Sequence, residues 1–279
     1  MQIHYFYEGG DGMKGKRFLV LLGVFSVVLC LFITHALAGT LQDVKARGKL
    51  LAGVKTDFPP FGFVDEKGVN KGFDVDIAKA LAKELFGKEE AVEFVGVTSG
   101  NRIAFLTTNK IDIILASMTI TEERKKVIDY SIPYFMSGHL ILVHKDSKIE
   151  KYQDLAGKKV STTQGSTGDI VIGELVPTAQ RVKFQHNSEA LQALKDRRVE
   201  AFVQDDVLLL DLQKRNPELK IVGWPPFRPA PYGLGVRKGD KEWLEFVDAT
   251  LTKMKKSGEY QKLWDKWFGE ARTMLLKLE

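Results

Sequence analysis

Apolar residues change their spacing along this chain in a regular way. From residue 50 onward, short apolar runs alternate with stretches in which apolar positions recur every three or four residues, the mark of strands followed by amphipathic helices. Residues 50–55, 92–97 and 111–116 read as strands. Residues 72–86 read as a helix with Ile77, Ala80, Leu81 and Leu85 on one face and acids in the first turn. Short helices are expected over 101–108 and 121–127, and Asp57-Phe-Pro-Pro-Phe61 is a loop that its prolines hold out of a helix. The alternation then repeats. Strands are expected at 139–144, 159–163, 199–204 and 232–237, a helical turn at 152–158, and helices at 165–175, 188–195, 206–215, 241–256 and 259–268. Gly223-Trp-Pro-Pro-Phe-Arg-Pro-Ala-Pro231 reads as an extended linker. Strands separated by helices imply βαβ units and parallel sheets, an α/β fold class.

The N-terminal pattern is different. Residues 18–34 are apolar, Lys14, Lys16 and Arg17 precede them, and Ala36-Leu37-Ala38 follows. That order makes residues 1–38 a secretory signal peptide cleaved after Ala38, in preference to an uncleaved membrane anchor. Met13-Lys-Gly-Lys-Arg starts such a segment in the usual way, so translation is expected to begin at Met13. The sole cysteine, Cys30, lies inside the apolar run, where it packs as an ordinary residue and not as a lipoprotein cysteine. The secreted chain then has no thiol chemistry and no disulfide, although it enters an oxidising compartment. With 44% hydrophobic and 28% charged residues the rest is ordinary globular sequence. The formal net charge of +5 comes without a basic run or stripe, so it argues for no nucleic-acid partner.

Two strand ends carry chemistry. The strand 111–116 stops at Ala116-Ser-Met-Thr119 and passes into a helical segment that opens with Thr121 and carries Arg124 within one turn. Hydroxyls, free N–H groups at a helix start and a guanidinium together make a receptor for a carboxylate. The segment Leu106-Thr-Thr-Asn-Lys-Ile-Asp-Ile-Ile-Leu-Ala116 is echoed by Leu194-Lys-Asp-Arg-Arg-Val-Glu-Ala-Phe-Val-Gln204, whose strand ends instead in Asp205. Ligands of open α/β sheets bind beyond the carboxyl ends of strands. Two such sheets face to face would oppose a carboxylate receptor to an ammonium acceptor.

Several motifs in one order carry a resemblance to a known family. They are Gly72-Phe-Asp-Val-Asp-Ile-Ala78, Ala116 to Arg124 with Asp129-Tyr130 after it, Gln164-Gly-Ser-Thr167, Gln204-Asp205 and Ser257-Gly-Glu-Tyr-Gln-Lys-Leu-Trp-Asp-Lys-Trp-Phe-Gly269. From about residue 41 to 269 the sequence resembles the periplasmic amino-acid-binding proteins of bacterial ABC importers, the polar-amino-acid family of extracellular solute-binding proteins. The resemblance implies a type II periplasmic-binding-protein fold. Residues 41–135 and 231–279 would form lobe 1 and residues 136–230 lobe 2, joined by two crossovers with one amino acid held between them. It implies that Ser117, Thr119 and Arg124 take the α-carboxylate, with Ala116 standing where relatives often carry a serine. Ser166 and Thr167, preceded by Gln164, would contact the ligand from lobe 2. Asp205 would take the α-ammonium, Asp206 would cap the next helix, and Phe58 would lie over the ligand's aliphatic part. Tyr232 would also reach the cleft.

Ligand identity is expected to rest on Lys55 and Arg102. Members of the family that bind acidic amino acids look similar at both points, and two cations suit a side-chain carboxylate, whereas Lys55 would repel a basic ligand. Glutamate or aspartate is therefore expected, with glutamine or asparagine next. The protein is read as a periplasmic, monomeric, non-enzymatic receptor that hands its ligand to a membrane ABC permease. A dehydratase on the same scaffold would need a free general acid or base, and each cleft candidate already has a binding role. A sensor module is disfavoured because the sequence holds no signalling domain. No cofactor is expected. The histidines His4, His35, His139, His144 and His186 have no metal-ligand spacing, and no G-x-S-x-G elbow or P-loop is present.

Overall fold

A computed structural model of the chain describes residues 1, 2, 4 and 39–269. The signal segment, its cleavage point after Ala38, the start at Met13, Cys30 and His35 lie outside the described residues. Chain order begins with α1 (Thr40–Arg47), β1 (Leu50–Val54), β2 (Asp57–Phe58), β3 (Gly62–Val64), β4 (Asn70–Lys71), α2 (Phe73–Phe86) and β5 (Val92–Gly96). It continues with α3 (Arg102–Thr107), β6 (Ile113–Leu115), α4 (Glu122–Lys125), β7 (Ile128–Tyr130) and the long β8 (Phe135–His144). After a 3-10 turn at Tyr152–Leu155 come β9 (Lys159–Thr163), α5 (Thr167–Leu175), β10 (Gln180–Phe184), α6 (Asn187–Lys195), β11 (Ala201–Asp205) and α7 (Asp206–Arg215). The chain returns along β12 (Leu219–Tyr232) to β13 (Gly235–Arg237), α8 (Lys241–Ser257) and α9 (Glu259–Phe268).

These elements build two five-stranded sheets, ordered β5-β1-β6-β13-β7 and β10-β9-β11-β8-β12, with a small sheet of β2, β3 and β4 beside the first. Helices cover them, giving the two α/β lobes expected from the sequence. The sheets are mixed and not wholly parallel. β1 runs parallel to β5 and β6, and β9 to β10 and β11, but β13 and β8 pair antiparallel with their neighbours. The antiparallel strands are those by which the chain enters or leaves a lobe, so no βαβ crossover dictates their direction.

The proline-rich segment expected to be a linker is instead the second half of β12. It pairs with β8 from Leu219↔His144 to Tyr232↔Phe135, with irregularities between Val222 and Phe227 and between Phe227 and Ala230. Because β12 is the outer strand of its sheet, Pro225, Pro226, Pro229 and Pro231 can withhold N–H groups on the unpaired side or at the irregular positions. The chain thus passes between lobes along two mutually paired strands. At their junction Phe61 makes edge-on contacts with Phe135 at 4.8 Å and Tyr232 at 5.4 Å, and Trp264 stacks on Phe135 at 5.0 Å.

Helix α2 follows its sequence signals: Asp74 and Asp76 in the first turn, Phe73, Ile77 and Leu81 buried, and Gly87 in the left-handed conformation at its end. It enters through Gly72 at φ +135, where a Cβ would lie 2.1 Å from the Phe61 carbonyl oxygen. Gly72→Ala is expected to lower stability by about 3 kcal/mol, measured by urea unfolding; a loss below ~1 kcal/mol would show that this approach can relax.

Candidate functional site

Strand ends from both sheets meet in one buried cleft. On the first wall, the turn after β6 is drawn tight: Ser117 lies at φ +48 and donates its N–H to the Asp74 carboxylate at 2.9 Å. Asp74 also accepts from the Tyr134 hydroxyl at 2.8 Å, and burial raises its pKa to about 7. The Ser117 hydroxyl is buried and makes no hydrogen bond. Arg102, first residue of α3, donates Nη1 to the carbonyls of Ala116 and Ser117, and its buried Nε makes no hydrogen bond. Burial, and then the neighbouring Arg124, lower the Arg102 pKa to about 9.

The N-cap of α4 is Thr121, whose hydroxyl accepts the Arg124 N–H. Arg124 is 8% exposed. It donates Nη1 to the Thr119 carbonyl at 2.8 Å and Nη2, across the cleft, to the Gly165 carbonyl at 3.0 Å. Lys55 follows β1, is 2% exposed and donates Nζ to the Ser99 hydroxyl at 2.7 Å. Burial, followed by Arg102, lowers its pKa to about 7 against the opposing pull of Asp57 and Asp205. The Phe58 ring lies 5.9 Å from that Nζ.

The second wall carries the opposite character. Ser166 caps α5 by accepting the Asp169 N–H, and the Thr167 hydroxyl lies 3.3 Å from that of Thr119 and 3.1 Å from His139 Nε2. Asp205 ends β11, is 5% exposed, and accepts from the Tyr232 hydroxyl. Burial and then Asp205 push the Tyr232 phenol well above its usual range, which keeps it a donor. The cap position expected of Asp206 is held by Asp205, without a side-chain capping bond. Asp206 is the first helical residue, accepts from Ser137 Oγ at 2.7 Å, and is pushed up to about 7 by burial.

The walls touch at two further places. Asp57 of β2 accepts from Asn187 N–H at 2.6 Å and Asn187 Nδ2 at 3.1 Å at the start of α6. Gly165, at φ +76, sits so that a Cβ would meet Gly100 Cα at 2.8 Å and the Ser99 carbonyl oxygen at 2.9 Å.

Lys55, Phe58, Arg102, Ala116, Ser117, Thr119, Arg124, Ser166, Thr167, Asp205 and Tyr232 are thus brought to one buried region. Gln164 is not: its side chain is exposed and accepts from Gln185 at 2.7 Å, because the left-handed Gly165 turns it outward. Sequence reasoning missed Asp74, Ser99, His139 and the Asp57–Asn187 pair. Asp74 was visible as an acid opening a helix within the Gly72–Ala78 motif, with no site role attached, and His139 only as a histidine without metal spacing. Among the described residues no group of three or more His, Cys, Asp or Glu side chains could hold a metal, and no helix is long and apolar enough to cross a membrane. Chemically, one wall offers buried cations and hydroxyls and the other a carboxylate with further acceptors, a pairing suited to a zwitterion.

Residues 50–270 match the bacterial extracellular solute-binding proteins, family 3. Among relatives, the chain is 40% identical over 233 residues to the ABC transporter glutamine-binding protein GlnH of Bacillus subtilis (strain 168), covering 83% of this chain and 85% of that protein. It is 42% identical over 219 residues to the glutamine-binding protein of Geobacillus stearothermophilus, covering 78% and 83% respectively. Among solved structures, an ancestral arginine-binding protein bound to glutamine superposes with a TM-score of 0.76 at 45% identity, over 80% of this chain and 99% of that one. The fold is accordingly the type II periplasmic-binding-protein architecture.

Proposed function

This chain belongs to the bacterial extracellular solute-binding proteins, family 3, and we propose that it is a non-enzymatic receptor that captures a free polar L-amino acid in its cleft and delivers it to a membrane ABC permease. One observation carries the reading: Arg124 and Asp205, both buried, stand on opposite walls that touch each other. In this reading Arg124 with Ser117 and Thr119 receives the α-carboxylate, and Asp205 with Thr167 and Ser166 the α-ammonium. Phe58 covers the ligand's carbons. A ligand gripped by both lobes stabilises the closed form by its differential affinity for it. Export through the segment 1–38 and work outside the inner membrane belong to the same proposal, as do the lobe boundaries at residues 135 and 231.

Glutamine is the proposed ligand. The names of the relatives support it, and so does Lys55, which at a pKa of about 7 can donate to a side-chain oxygen or, once neutral, accept from an amide N–H. The acidic ligand expected from the sequence is the second reading, favoured by the excess of buried cations, Lys55, Arg102 and Arg124, facing the cleft.

A thermal-shift screen over the twenty amino acids tests the class: ligand at about 100 times its Kd stabilises by about 2.7 kcal/mol. A response confined to apolar amino acids such as leucine would overturn the reading, and one confined to arginine would overturn the choice of glutamine. The pH dependence separates the two ligands. Lys55 is charged below about pH 7 and neutral above it, so holding a side-chain carboxylate requires a proton that alkaline solution withdraws. Glutamate affinity measured by calorimetry should fall about tenfold per pH unit between pH 7 and 9, while glutamine affinity stays level. Tight glutamate binding that ignores pH would remove Lys55 from the ligand site.

A further inference from the structure

The corner around Asp205 contains a titratable side chain that the amino-acid clamp leaves unused. His139 on β8 is the direct strand partner of Asp205 on β11 and is 3% exposed. Its Nδ1 lies 3.3 Å from the Phe227 carbonyl oxygen, and its Nε2 lies 3.1 Å from the Thr167 hydroxyl and 3.5 Å from Asp205 Oδ1. A carbonyl only accepts, so in the neutral ring Nδ1 carries the hydrogen and Nε2 is left as an acceptor. The Thr167 hydroxyl then donates to Nε2, and its oxygen lone pairs remain for Thr119 and the cleft. With Asp205 beside it, the corner presents acceptors alone, which is what an ammonium with three donors requires.

We infer that His139 is a positioning residue of the ammonium site: neutral, it aims the Thr167 oxygen at the ligand's ammonium, and protonated, it donates to Asp205 and competes with that ammonium. Capture of an amino acid is thereby linked to a neutral His139. The inference rests on the reading of Asp205 as the ammonium acceptor.

Other charged groups surround the ring. Asp205 faces it from β11 and is bonded by Tyr232 of β12, while Asp206, the first residue of α7, is bonded by Ser137 of β8. On α5, Asp169 is held by Arg181 and Lys183, and Glu174 lies 3.9 Å from Arg228 of β12. Arg124 and Lys55 lie on the opposite wall. Since Lys55, Asp74 and Asp206 are themselves drawn toward about 7, the wild-type pH profile needs a histidine variant beside it.

The test is calorimetric titration of the full chain with L-glutamine from pH 8 to pH 5, in two buffers of different ionisation enthalpy. Wild type is expected to bind evenly near pH 8 and to weaken by about tenfold per pH unit in acid, releasing a proton on binding there. His139→Gln is expected to lose both the acid weakening and the proton release, whatever its affinity at pH 8. His139→Asn serves as a second variant, and a melt at pH 8 checks that each is folded. An acid limb that survives in both variants, or a wild type flat from pH 8 to pH 5, overturns the role of His139. Asp205→Asn binding as tightly as wild type would instead overturn the ammonium reading beneath it.

Discussion

Arg124→Ala is expected to remove binding of every amino acid, whatever its side chain. The guanidinium is almost wholly buried and already bridges the walls, with one nitrogen on the Thr119 carbonyl and another on the Gly165 carbonyl. An amino-acid carboxylate entering beside it exchanges water for a fixed cation in a poorly polarisable site. Truncating one partner of such a buried pair costs about 2–5 kcal/mol, or about 30- to 5,000-fold in affinity, because the carboxylate is left desolvated and uncompensated. Arg124→Lys should recover only part of the loss, since an ammonium keeps the charge without the planar fork that spans both walls. Calorimetry with glutamine, glutamate and arginine, beside a thermal melt of the ligand-free variant, measures both effects. Glutamine binding within fivefold of wild type would show that the carboxylate is held elsewhere.

Arg124 also shows what kind of information the sequence carried. The junction from β6 into α4 was legible because each part of it is local: an apolar run, hydroxyls, a capping threonine and an arginine within one turn. The same holds for Thr167 and Asp205 at their strand ends, and for α2, α8 and α9, whose apolar stripes cover several turns. What stayed hidden depends on partners distant in the chain. Strand β10 alternates exposed and half-buried residues at a sheet edge, so Gln180–Phe184 shows no clear apolar period. The prolines of β12 look like a linker until the pairing with β8 puts that strand at an edge. His139 sits in a mostly apolar strand, and only the register with β11 places it against Asp205. Arg102, expected to face a ligand carboxylate, spends Nη1 on the carbonyls of Ala116 and Ser117. Its contribution to the proposed site includes holding the turn from which Thr119 and Arg124 are presented.

The Asp57–Asn187 contact was equally illegible, its partners being 130 residues apart, and it leads to the second large effect: Asp57→Ala should weaken all ligands with uncharged side chains by the same factor. Asp57 belongs to the first lobe and caps the start of α6 in the second, accepting both the backbone N–H and the side-chain amide of Asn187. Asn187 is itself fixed, because its Oδ1 accepts from Thr163 Oγ1 at 2.8 Å and Gln204 Nε2 at 2.9 Å. A carboxylate at a helix start gains from the unpaired N–H groups and from the helix dipole. That gain exists only while the lobes are together, so it adds to the stability of the closed form and is felt by any ligand that requires closure. Hydrogen bonds to a charged group contribute about 1.5–3 kcal/mol, so losing them should lower affinity by about 10- to 150-fold. Selectivity between glutamine and asparagine, whose side chains carry no charge, should be unchanged, and the loss should appear as faster dissociation, since the contact forms after the ligand has entered. Asp57→Asn, which can still accept one N–H, should fall between wild type and Asp57→Ala. Stopped-flow dissociation rates for glutamine and asparagine decide the matter: a change in their ratio would make Asp57 a ligand contact, and unchanged rates would mean that the latch adds nothing to closure.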